Sequence, residues 1–442
     1  MRTFKIGLFG LGVVGSSVVS ILRKNQDLIY SRLGAGLEVT HAVTANPAKK
    51  REISLEGIKV SSDPADILDN PDIDIVVELI GGITTAADVV LRAMDAGKPV
   101  VTANKALLAE KSREIFHKVY EKGLPIGMEA SVAGGIPVLR SLKEGLSGEN
   151  ILEITGIVNG TCNYILTRMT EEGAPFAEVL ADAQRLGYAE ADPSFDVDGV
   201  DAAHKLAILV NLAYGTMVPY GDIYYEGIRG ITPEDIAYAG ALGFTIKLLA
   251  IGKLENGRVE ARVHPTLVAE DHLLSSVNGV FNAVFLTGDN VDATMSYGRG
   301  AGGLPTGSAV VSDIIDIARN LKLGIPAKIP PLSVIRECLA ERAVMPIQDI
   351  SSEYYLRFQV RDQVGVLATI TRVMGENGIS IQSMLQPSVS EHPDEPVQVI
   401  ITTHRARESD VQNSLKTLEP MEFMAGGTQL IRIERFQPEL KD

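Results

Sequence analysis

The feature that most constrains the fold of this 442-residue chain is a glycine-rich turn between its first apolar segment and its first helix-like segment. Gly10, Gly12 and Gly15 form the pattern G-x-G-x-x-G, whose glycines permit a tight turn, close backbone approach to a pyrophosphate, and close packing of helix on strand. A helix that begins there would offer unpaired N–H groups and the positive end of its dipole to phosphates. We therefore predict a dinucleotide site, with contacts from Gly10, Gly12, Val13, Val14 and Gly15.

The sequence around this turn predicts an α/β fold that begins with a Rossmann-type domain over residues 1–130. Continuous apolar runs such as DIDIVVELIG and KPVVTA alternate with helix-like segments, a pattern typical of a parallel sheet buried on both faces. Residues 131–306 mix helical periodicity with closely spaced strands, which indicates an α+β domain. We expect a long helix in 307–342 to pack back onto the first domain.

The C-terminal part of the chain predicts a third, smaller domain. A proline-containing linker at 343–352 precedes it. Residues 353–436 then show the order strand, helix, strand, strand, helix, strand. This is the ferredoxin-like βαββαβ arrangement, and we expect it to form a separate unit.

Composition excludes several classes of protein. The chain is 45% hydrophobic and carries 41 Lys plus Arg against 56 Asp plus Glu, so it is neither disordered nor suited to nucleic acid. Its two cysteines lack metal-ligand spacing. The apolar run Ile6–Leu22 could pass for a membrane segment, but glycine and serine interrupt it and no small-residue cleavage site follows. We predict a cytoplasmic protein with small-molecule partners and no membrane association.

Two lysines stand where local preference does not explain them. Lys105 follows a strand and lies in the first turn of a helix, where its charge opposes the helix dipole. Lys205 lies on an apolar helix with Asp201 four residues earlier, so both share one stripe. We interpret Asp201 and Lys205 as lining a cleft, with Lys205 as general acid/base. A surface lysine and a solvated ion pair remain the alternatives.

An acid-rich turn precedes this helix and carries Glu190, Asp192, Asp196 and Asp198. Its spacing does not fit a calcium loop, and it suits a substrate that carries an ammonium group. Helix capping or solvation is the alternative interpretation of each of these acids, and we expect it to hold for Asp196 and Asp198.

Three further features carry weaker signals. Cys162 has no histidine that the sequence places beside it, so we expect a buried inert thiol. His264 is expected to be structural. The glycine-rich loop Gly298–Ser308 is either an anion-receiving lid or an ordinary turn.

Several segments together resemble the homoserine dehydrogenases: GLGVVG, ELIGG, VTANKALLA, MEASVAGGIPV, GIVNGTCNYIL and LGYAEADPSFDVDGVDAAHKLAIL. The segment RDQVGVLATITRVMGENGISI resembles an ACT domain, a small module that binds amino acids. The resemblance implies NAD(P)-dependent interconversion of L-aspartate 4-semialdehyde and L-homoserine, on the route to threonine and methionine. It also implies threonine feedback through the ACT domain, a homodimer or homotetramer associated through the middle sheet, and residues 131–306 as the catalytic and dimerisation domain. Truncation after Met345 is then expected to leave activity but abolish threonine inhibition.

The resemblance also implies roles for particular residues. It makes Lys205 the acid/base, with Lys105 as a second important lysine. The implied substrate contacts are Glu190, Asp201 and Lys105. The implied cofactor contacts are the Gly10–Gly15 turn, Lys105, Gly187 and Gly302. A monovalent cation such as Na⁺ is implied on Glu129 and on the backbone carbonyls of Val132, Gly134 and Ile136.

Cofactor preference and effector identity stay open. No acid ends the second strand, and the basic run Lys49–Arg51 would suit a 2′-phosphate, which favours NADP with Lys49 and Arg51 as contacts. A solvated loop is the alternative, and Asn46 stands where many relatives carry arginine. The first ACT loop, Asp362–Gly365, lacks a common proline. A non-catalytic dinucleotide sensor and a cysteine-dependent semialdehyde dehydrogenase are the rival functions.

Overall fold

The first sheet has the strand order of a dinucleotide-binding fold. The computed structural model describes residues 2–387 and 396–436. Six parallel strands are ordered β3-β2-β1-β4-β5-β6, which is the Rossmann order and confirms the predicted class. These strands are β1 (Thr3–Phe9), β2 (Gly36–Val43), β3 (Lys59–Ser61), β4 (Ile75–Glu78), β5 (Val100–Thr102) and β6 (Ile126–Gly127).

Helices cover both faces of this sheet because their apolar stripes match its apolar strands. The helices that follow its strands are α1 (Val13–Lys24), α2 (Gln26–Leu33), α3 (Ala65–Leu68), α4 (Thr84–Asp95), α5 (Lys105–Glu110) and α6 (Ser112–Lys122). In α1 the buried side is Gly15, Val18, Val19 and Leu22. Because α1 begins at Val13, a short turn after β1 ends at Phe9, its N-terminus lies at the carboxyl end of β1.

The middle region contributes helices and a mainly antiparallel sheet. Its helices are α7 (Val138–Arg140), α8 (Gly160–Glu172), α9 (Phe176–Arg185), α10 (Ser194–Val197), α11 (Val200–Tyr214), α12 (Pro233–Ala241) and α13 (Gly303–Leu323). Its strands are β7 (Ile151–Ile157), β8 (Tyr224–Tyr225), β9 (Phe244–Glu255), β10 (Arg258–Ala269), β11 (Phe281–Gly288) and β12 (Asp292–Arg299). The short β8 pairs in parallel with β10. The long helix α13 packs against α1 and shares the core of the first sheet.

The C-terminal region has the predicted βαββαβ order and its own core. Its elements are β13 (Ser351–Arg361), α14 (Val366–Glu376), β14 (Ile381–Leu385), β15 (Pro396–Thr403), the short β16 (Ala406–Arg407), α15 (Glu408–Leu418) and β17 (Gln429–Glu434). Strand β17 also pairs in parallel with β10, with Thr266 opposite Arg432. The middle and C-terminal sheets are therefore one continuous sheet.

Buried charges cross the line where β17 meets β10. Arg262 donates to Glu260 at 2.7 Å and to Glu434 at 2.9 Å, and its side chain is 2% exposed. Arg432 donates to both carboxylate oxygens of Glu408, at 2.8 and 2.7 Å. We call these five residues the seam network. Each guanidinium in the seam network is hydrogen-bonded to at least one buried carboxylate. This pairing offsets much of the free-energy cost of removing the charge from water.

Candidate active site

Two helices from different parts of the chain meet at the candidate site. Helix α5 begins with Lys105 directly after β5, at the carboxyl end of the parallel sheet, where ligands bind in such folds. It packs against α11 of the middle region. The Lys105 Nζ consequently lies 2.6 Å from Asp201 Oδ1 on α11, so residues far apart in sequence form one ion pair.

Lys205 and Asp201 lie one turn apart on α11, which is buried along nearly its whole length. The Lys205 Nζ donates to Asp201 Oδ2 at 2.7 Å and to the Val158 carbonyl at 2.6 Å. Its side chain is 10% exposed, whereas that of Lys105 is 34% exposed. The structure thus brings Lys105, Asp201 and Lys205 together, with Lys105 at the open side. We call these three residues the lysine cluster.

Burial and charge act in opposition in the lysine cluster. Burial lowers the pKa of Lys205, and the nearby charge of Lys105 adds to this, while Asp201 only partly offsets them. Burial would raise the pKa of Asp201, but the two ammonium groups outweigh it and hold that pKa below its usual range. The pKa of Lys105 is raised because the Asp201 carboxylate outweighs its burial. Lys205 is therefore the group in the cluster best suited to exchange a proton.

Asn159 and Asp196 complete the site, and sequence reasoning missed their part in it. Asn159 caps α8, accepting from the Cys162 N–H at 2.8 Å, while its amide donates to Asp196 and Asp201 at 2.7 and 2.8 Å. Asp196 is half-buried in the network, so the solvated interpretation of it is wrong; Asp198 pairs with Arg229. The helix cap could have been predicted, because an asparagine stands between a strand and a helix that starts with Gly-Thr. The contacts of this asparagine with Asp196 and Asp201 could not, because no sequence spacing indicates them.

Glu190 and Gly187 lie on the exposed turn between α9 and α10. Gly187 has a positive φ of 76°. The Glu190 carboxylate acts on Lys105 through space and contributes to the raised pKa of that lysine. Phe195 lies on the same side, with its ring centroid 5.3 Å from the Lys105 Nζ. An acid and an aromatic ring therefore face the open side of the lysine cluster.

The glycine turn has the geometry of a phosphate cradle. A Cβ on Gly15 would lie 2.0 Å from the Gly10 carbonyl oxygen, whereas around Gly12 no atom of the described residues lies within 4 Å of a Cβ position. The open space at Gly12, the N-cap of α1, leaves room for a ligand against the first N–H groups of the helix. Val13 is exposed and Val14 half-buried beside it. These residues fit a dinucleotide.

Comparison with known proteins decides the family. A model described as homoserine dehydrogenase matches residues 137–315, one described as homoserine dehydrogenase NAD-binding domain matches 10–128, and one described as ACT domain matches 354–420. The chain is 44% identical to a homoserine dehydrogenase of Pseudomonas aeruginosa over 435 residues, which span 98% of this chain and all of that protein. The chain belongs to the homoserine dehydrogenase family.

Other homoserine dehydrogenases agree in sequence and structure. That of Bacillus subtilis is 40% identical over 434 residues, spanning 98% of this chain and 99% of that protein. The crystal structure of a homoserine dehydrogenase from Thiobacillus denitrificans has a TM-score of 0.92 at 42% identity, covering 98% of this chain and 99% of that one. A hyperthermophilic archaeal homoserine dehydrogenase in complex with NADPH has a TM-score of 0.61 at 27% identity, covering 74% and 99%.

Family membership makes the chain an NAD(P)-dependent oxidoreductase with a C-terminal ACT domain. This rules out the non-catalytic sensor. It also disfavours the cysteine-dependent rival, because burial raises the pKa of Cys162 well above its usual value and keeps the thiol protonated. The Cys162 Sγ lies 3.2 Å from the Asp196 carbonyl oxygen. A buried thiol of raised pKa is poorly suited to act as a nucleophile.

The loop before α13 links two of the sites that the family resemblance implies. Gly302, with φ of 122°, precedes Gly303, whose Cβ would lie 2.8 Å from Val13 beside the glycine turn. On its other side, the Gly135 N–H donates to the Arg299 carbonyl at 3.1 Å. The loop therefore lies between the glycine turn and the segment 132–136.

Arg51 is folded against the turns at the ends of β1 and β2. Its Nε donates to the Leu11 carbonyl at 3.2 Å, and its Nη2 lies 3.3 Å from the Thr44 hydroxyl. Lys49 is exposed, and its carbonyl accepts from Arg51 at 2.7 Å. Positive charge therefore lies beside the glycine turn, just past β2.

The segment around Glu129 fits a monovalent cation. Burial, together with the neighbouring Asp313 carboxylate, raises the pKa of Glu129 to about 7, so a cation there would stabilise its ionised form. The buried residues Val132 and Gly134 have carbonyls that accept from no donor within residues 2–387 and 396–436. The Ile136 carbonyl accepts from the Val138 N–H at 2.8 Å and keeps a second lone pair. These oxygens suit a hard cation.

No helix within residues 2–387 and 396–436 combines the length and apolar character needed to cross a membrane.

Proposed function

We propose that this chain interconverts L-homoserine and L-aspartate 4-semialdehyde in the cytoplasm, on the route to threonine and methionine, with Lys205 as the acid/base. The observation that carries the proposal is the buried Lys205, paired with Asp201 at 2.7 Å, whose pKa is lowered by burial. An amine of lowered pKa, held in one orientation, can accept a hydroxyl proton and return it.

The proposed mechanism assigns one task to each group. The homoserine ammonium binds beside Glu190, and its hydroxyl faces Lys205. The dinucleotide would be held by the glycine turn together with Lys105, Gly187 and Gly302, and its chemistry when bound would be to accept a hydride from the hydroxyl-bearing carbon of the substrate. The hydroxyl proton passes to the Lys205 Nζ as the carbonyl forms, while Asp201 and Lys105 fix the orientation of that Nζ and of the substrate. In the reducing direction, Lys205 returns the proton to the carbonyl oxygen.

Homoserine-dependent reduction of NADP and NAD, measured with and without threonine, tests this function. We expect absorbance at 340 nm to rise only when homoserine and a dinucleotide are both present. Absence of turnover with homoserine and of the reverse reaction with the semialdehyde would reject the proposal.

We propose NADP as the preferred cofactor, with Lys49 and Arg51 near the 2′-phosphate. The Arg51 guanidinium supports this because it lies against the Leu11 carbonyl of the glycine turn. Arg51→Gln should lower kcat/KM with NADP by about 10-fold or more and leave NAD almost unchanged. Lys50→Gln, at an exposed neighbour, is the matched control. Equal losses with both cofactors would contradict the preference.

We propose that threonine is the amino-acid effector of the ACT domain. A pocket lined by Asp362, Gln363 and Gly365 lies at the start of α14. Asp362→Ala should raise the threonine concentration for half inhibition by about 10-fold or more, with Glu376→Gln on α14 as control.

The truncation after Met345 is a weaker test than the sequence suggested. It would also remove β17 from its pairing with β10, and it would leave the buried Arg262 without the carboxylate of Glu434.

We propose a homodimer or homotetramer associated through the middle sheet. Strand β12 supports this, because it lies at the end of the sheet with Met295 and Tyr297 exposed. Light scattering after gel filtration measures the mass, and Tyr297→Glu should shift it toward the monomer. An unchanged mass would contradict this surface.

We propose that Na⁺ or a similar ion binds Glu129 and the carbonyls of Val132, Gly134 and Ile136. Its chemistry would be structural, holding this segment against the loop before α13. Thermal stability should rise with NaCl more than with N-methylglucamine chloride, and Glu129→Gln should remove that difference.

A further inference from the structure

The side chain of Asn159 joins the helix cap of α8 to both carboxylates of the site. It is 4% exposed and lies directly after Val158, whose carbonyl accepts from Lys205. Its Oδ1 accepts from the Cys162 N–H, which fixes the rotation of the amide. The two amide hydrogens then point away from the helix, toward Asp196 and Asp201.

Both donors of this amide are used on carboxylates. The Asn159 Nδ2 lies 2.7 Å from Asp196 Oδ1 and 2.8 Å from Asp201 Oδ2. An asparagine amide has two N–H donors, so neither is left for another partner. The oxygen that Asn159 holds on Asp201 is the same oxygen that the Lys205 Nζ contacts at 2.7 Å.

Without this amide the two carboxylates would lie close together with no donor between them. Burial and the Asp201 charge already raise the pKa of Asp196. Lys105 and Lys205 both pair with Asp201, and neither ammonium forms an ion pair with Asp196 within the described residues. Asn159 is thus the group that joins Asp196 to the lysine cluster.

We propose that Asn159 is a positioning residue for the reaction: its amide bridges Asp196 and Asp201 and thereby fixes the Lys205 Nζ against its substrate. This inference rests on the proposed function, since it assumes that Lys205 exchanges the proton. Capping of α8 alone would need only the Oδ1 acceptor. The bridge makes a separate prediction, because it needs the two N–H donors.

Asn159→Asp separates these two roles. Aspartate keeps the cap acceptor and the shape of asparagine, but it replaces both donors by oxygen and adds a third carboxylate. We expect kcat to fall by about 10- to 100-fold at pH 8, with dinucleotide binding unchanged. The ratio of variant to wild-type kcat should rise as the pH falls, because a protonated Asp at 159 again donates one hydrogen bond.

The pH profile involves other groups that face Asp201 from the surrounding helices. These are Lys105 on α5, Cys162 on α8, Asp196 on α10, and His204 and Lys205 on α11. They are present in both proteins, so the ratio of the two profiles isolates position 159.

A second variant tests the bridge by exchanging its partners. Asn159→Asp combined with Asp196→Asn restores one amide beside one carboxylate. We expect the double variant to regain part of the kcat lost in Asn159→Asp, because the amide at 196 can donate to the carboxylate at 159 and the site again holds two carboxylates instead of three. A residue that only caps α8 would gain nothing from a change at 196, so absence of any regain would overturn the bridge.

The outcomes separate this inference from the proposed function. Wild-type turnover with homoserine and an unaltered kcat and pH profile in Asn159→Asp would overturn the inference alone. Absence of wild-type turnover would reject the proposed function. If Asn159→Asp fails to fold, Asn159→Ser is measured instead, because serine keeps an oxygen that can cap α8. A folded serine variant with lowered kcat and a shifted profile supports the bridge, and a wild-type profile overturns it.

Discussion

The lysine cluster and the seam network are both buried groups of charges, but they are built from different cations. In the seam, Arg262 and Arg432 each contact two carboxylates, and both side chains are almost fully buried. In the lysine cluster, two lysines share one carboxylate and Lys105 is 34% exposed. Arginine stays protonated in proteins, whereas a buried lysine can lose its proton. The ion pairs of the seam network therefore stay charged and hold β10 and β17 together, whereas the lysine cluster can exchange a proton.

The largest expected effect comes from replacing Lys205 in the lysine cluster, either by alanine or by arginine, which is the cation of the seam network. Lys205→Ala should lower kcat by about 10²- to 10⁴-fold, the usual share of general acid–base catalysis. Lys205→Arg should lose as much, because a guanidinium does not release its proton near neutral pH. Steady-state kinetics with homoserine measures both. Lys98→Met, at a buried lysine that bonds the Ile73 carbonyl at 3.1 Å, is the control and should keep kcat.

The next effect is on stability and concerns the seam. Glu434→Gln leaves Arg262 and Lys253 without one buried carboxylate. Breaking a buried pair in this way costs about 3–5 kcal/mol, so the urea midpoint followed by circular dichroism should fall clearly, while kcat of the folded protein persists. Asp66→Asn breaks the pair with Lys59, whose side chain is 60% exposed, and should change the midpoint little. Equal shifts in the two variants would contradict the comparison.

A smaller effect is expected in the acid dependence of stability. Burial would raise the pKa of Glu434, but Arg262 and Lys253 outweigh it and lower that pKa to about 2. A carboxyl whose pKa is depressed by folding stabilises the protein above its unfolded pKa of about 4.3 and loses that contribution as the pH falls toward 2. The difference in urea midpoint between wild type and Glu434→Gln should therefore shrink below pH 4.3. A constant difference would show that Glu434 does not titrate in this way.

The smallest expected effect is that of thiol modification on the activity of the protein. Cys338 is exposed and Cys162 is buried with a raised pKa, so iodoacetamide should label Cys338 and leave Cys162 intact. Activity should stay near that of the untreated protein, because the proton is exchanged by lysine. Mass spectrometry locates the label. Inactivation that parallels labelling of Cys162 would contradict the lysine mechanism.

The sequence predicted those features of the fold and site that local spacing encodes. The strand-turn-helix order around Gly10–Gly15 predicts the dinucleotide-binding fold. The spacing of four residues predicts that Asp201 and Lys205 lie on one side of α11. The alternation of the C-terminal residues carries the βαββαβ order. Each of these signals lies within about one or two secondary-structure elements.

The features that sequence reasoning missed depend on contacts between distant segments. Arg262 and Glu434 are 172 residues apart in the chain, so their pairing follows from the parallel register of β10 and β17 rather than from any periodicity. Expecting a separate C-terminal unit overlooked this shared sheet. Asn159 and Asp196 were missed for the same reason, since their side chains meet only after α8, α10 and α11 have packed.

The pairing of β10 with β17 also bears on how the chain is made. During synthesis, β10 leaves the ribosome long before β17, so its segment Thr266–Val268, which pairs with β17, stays without that partner while the intervening residues are translated. An open sheet edge is a template for pairing with other chains, and slow long-range strand pairing prolongs that exposure. We therefore expect nascent chains to depend on chaperones until residues 429–434 have emerged.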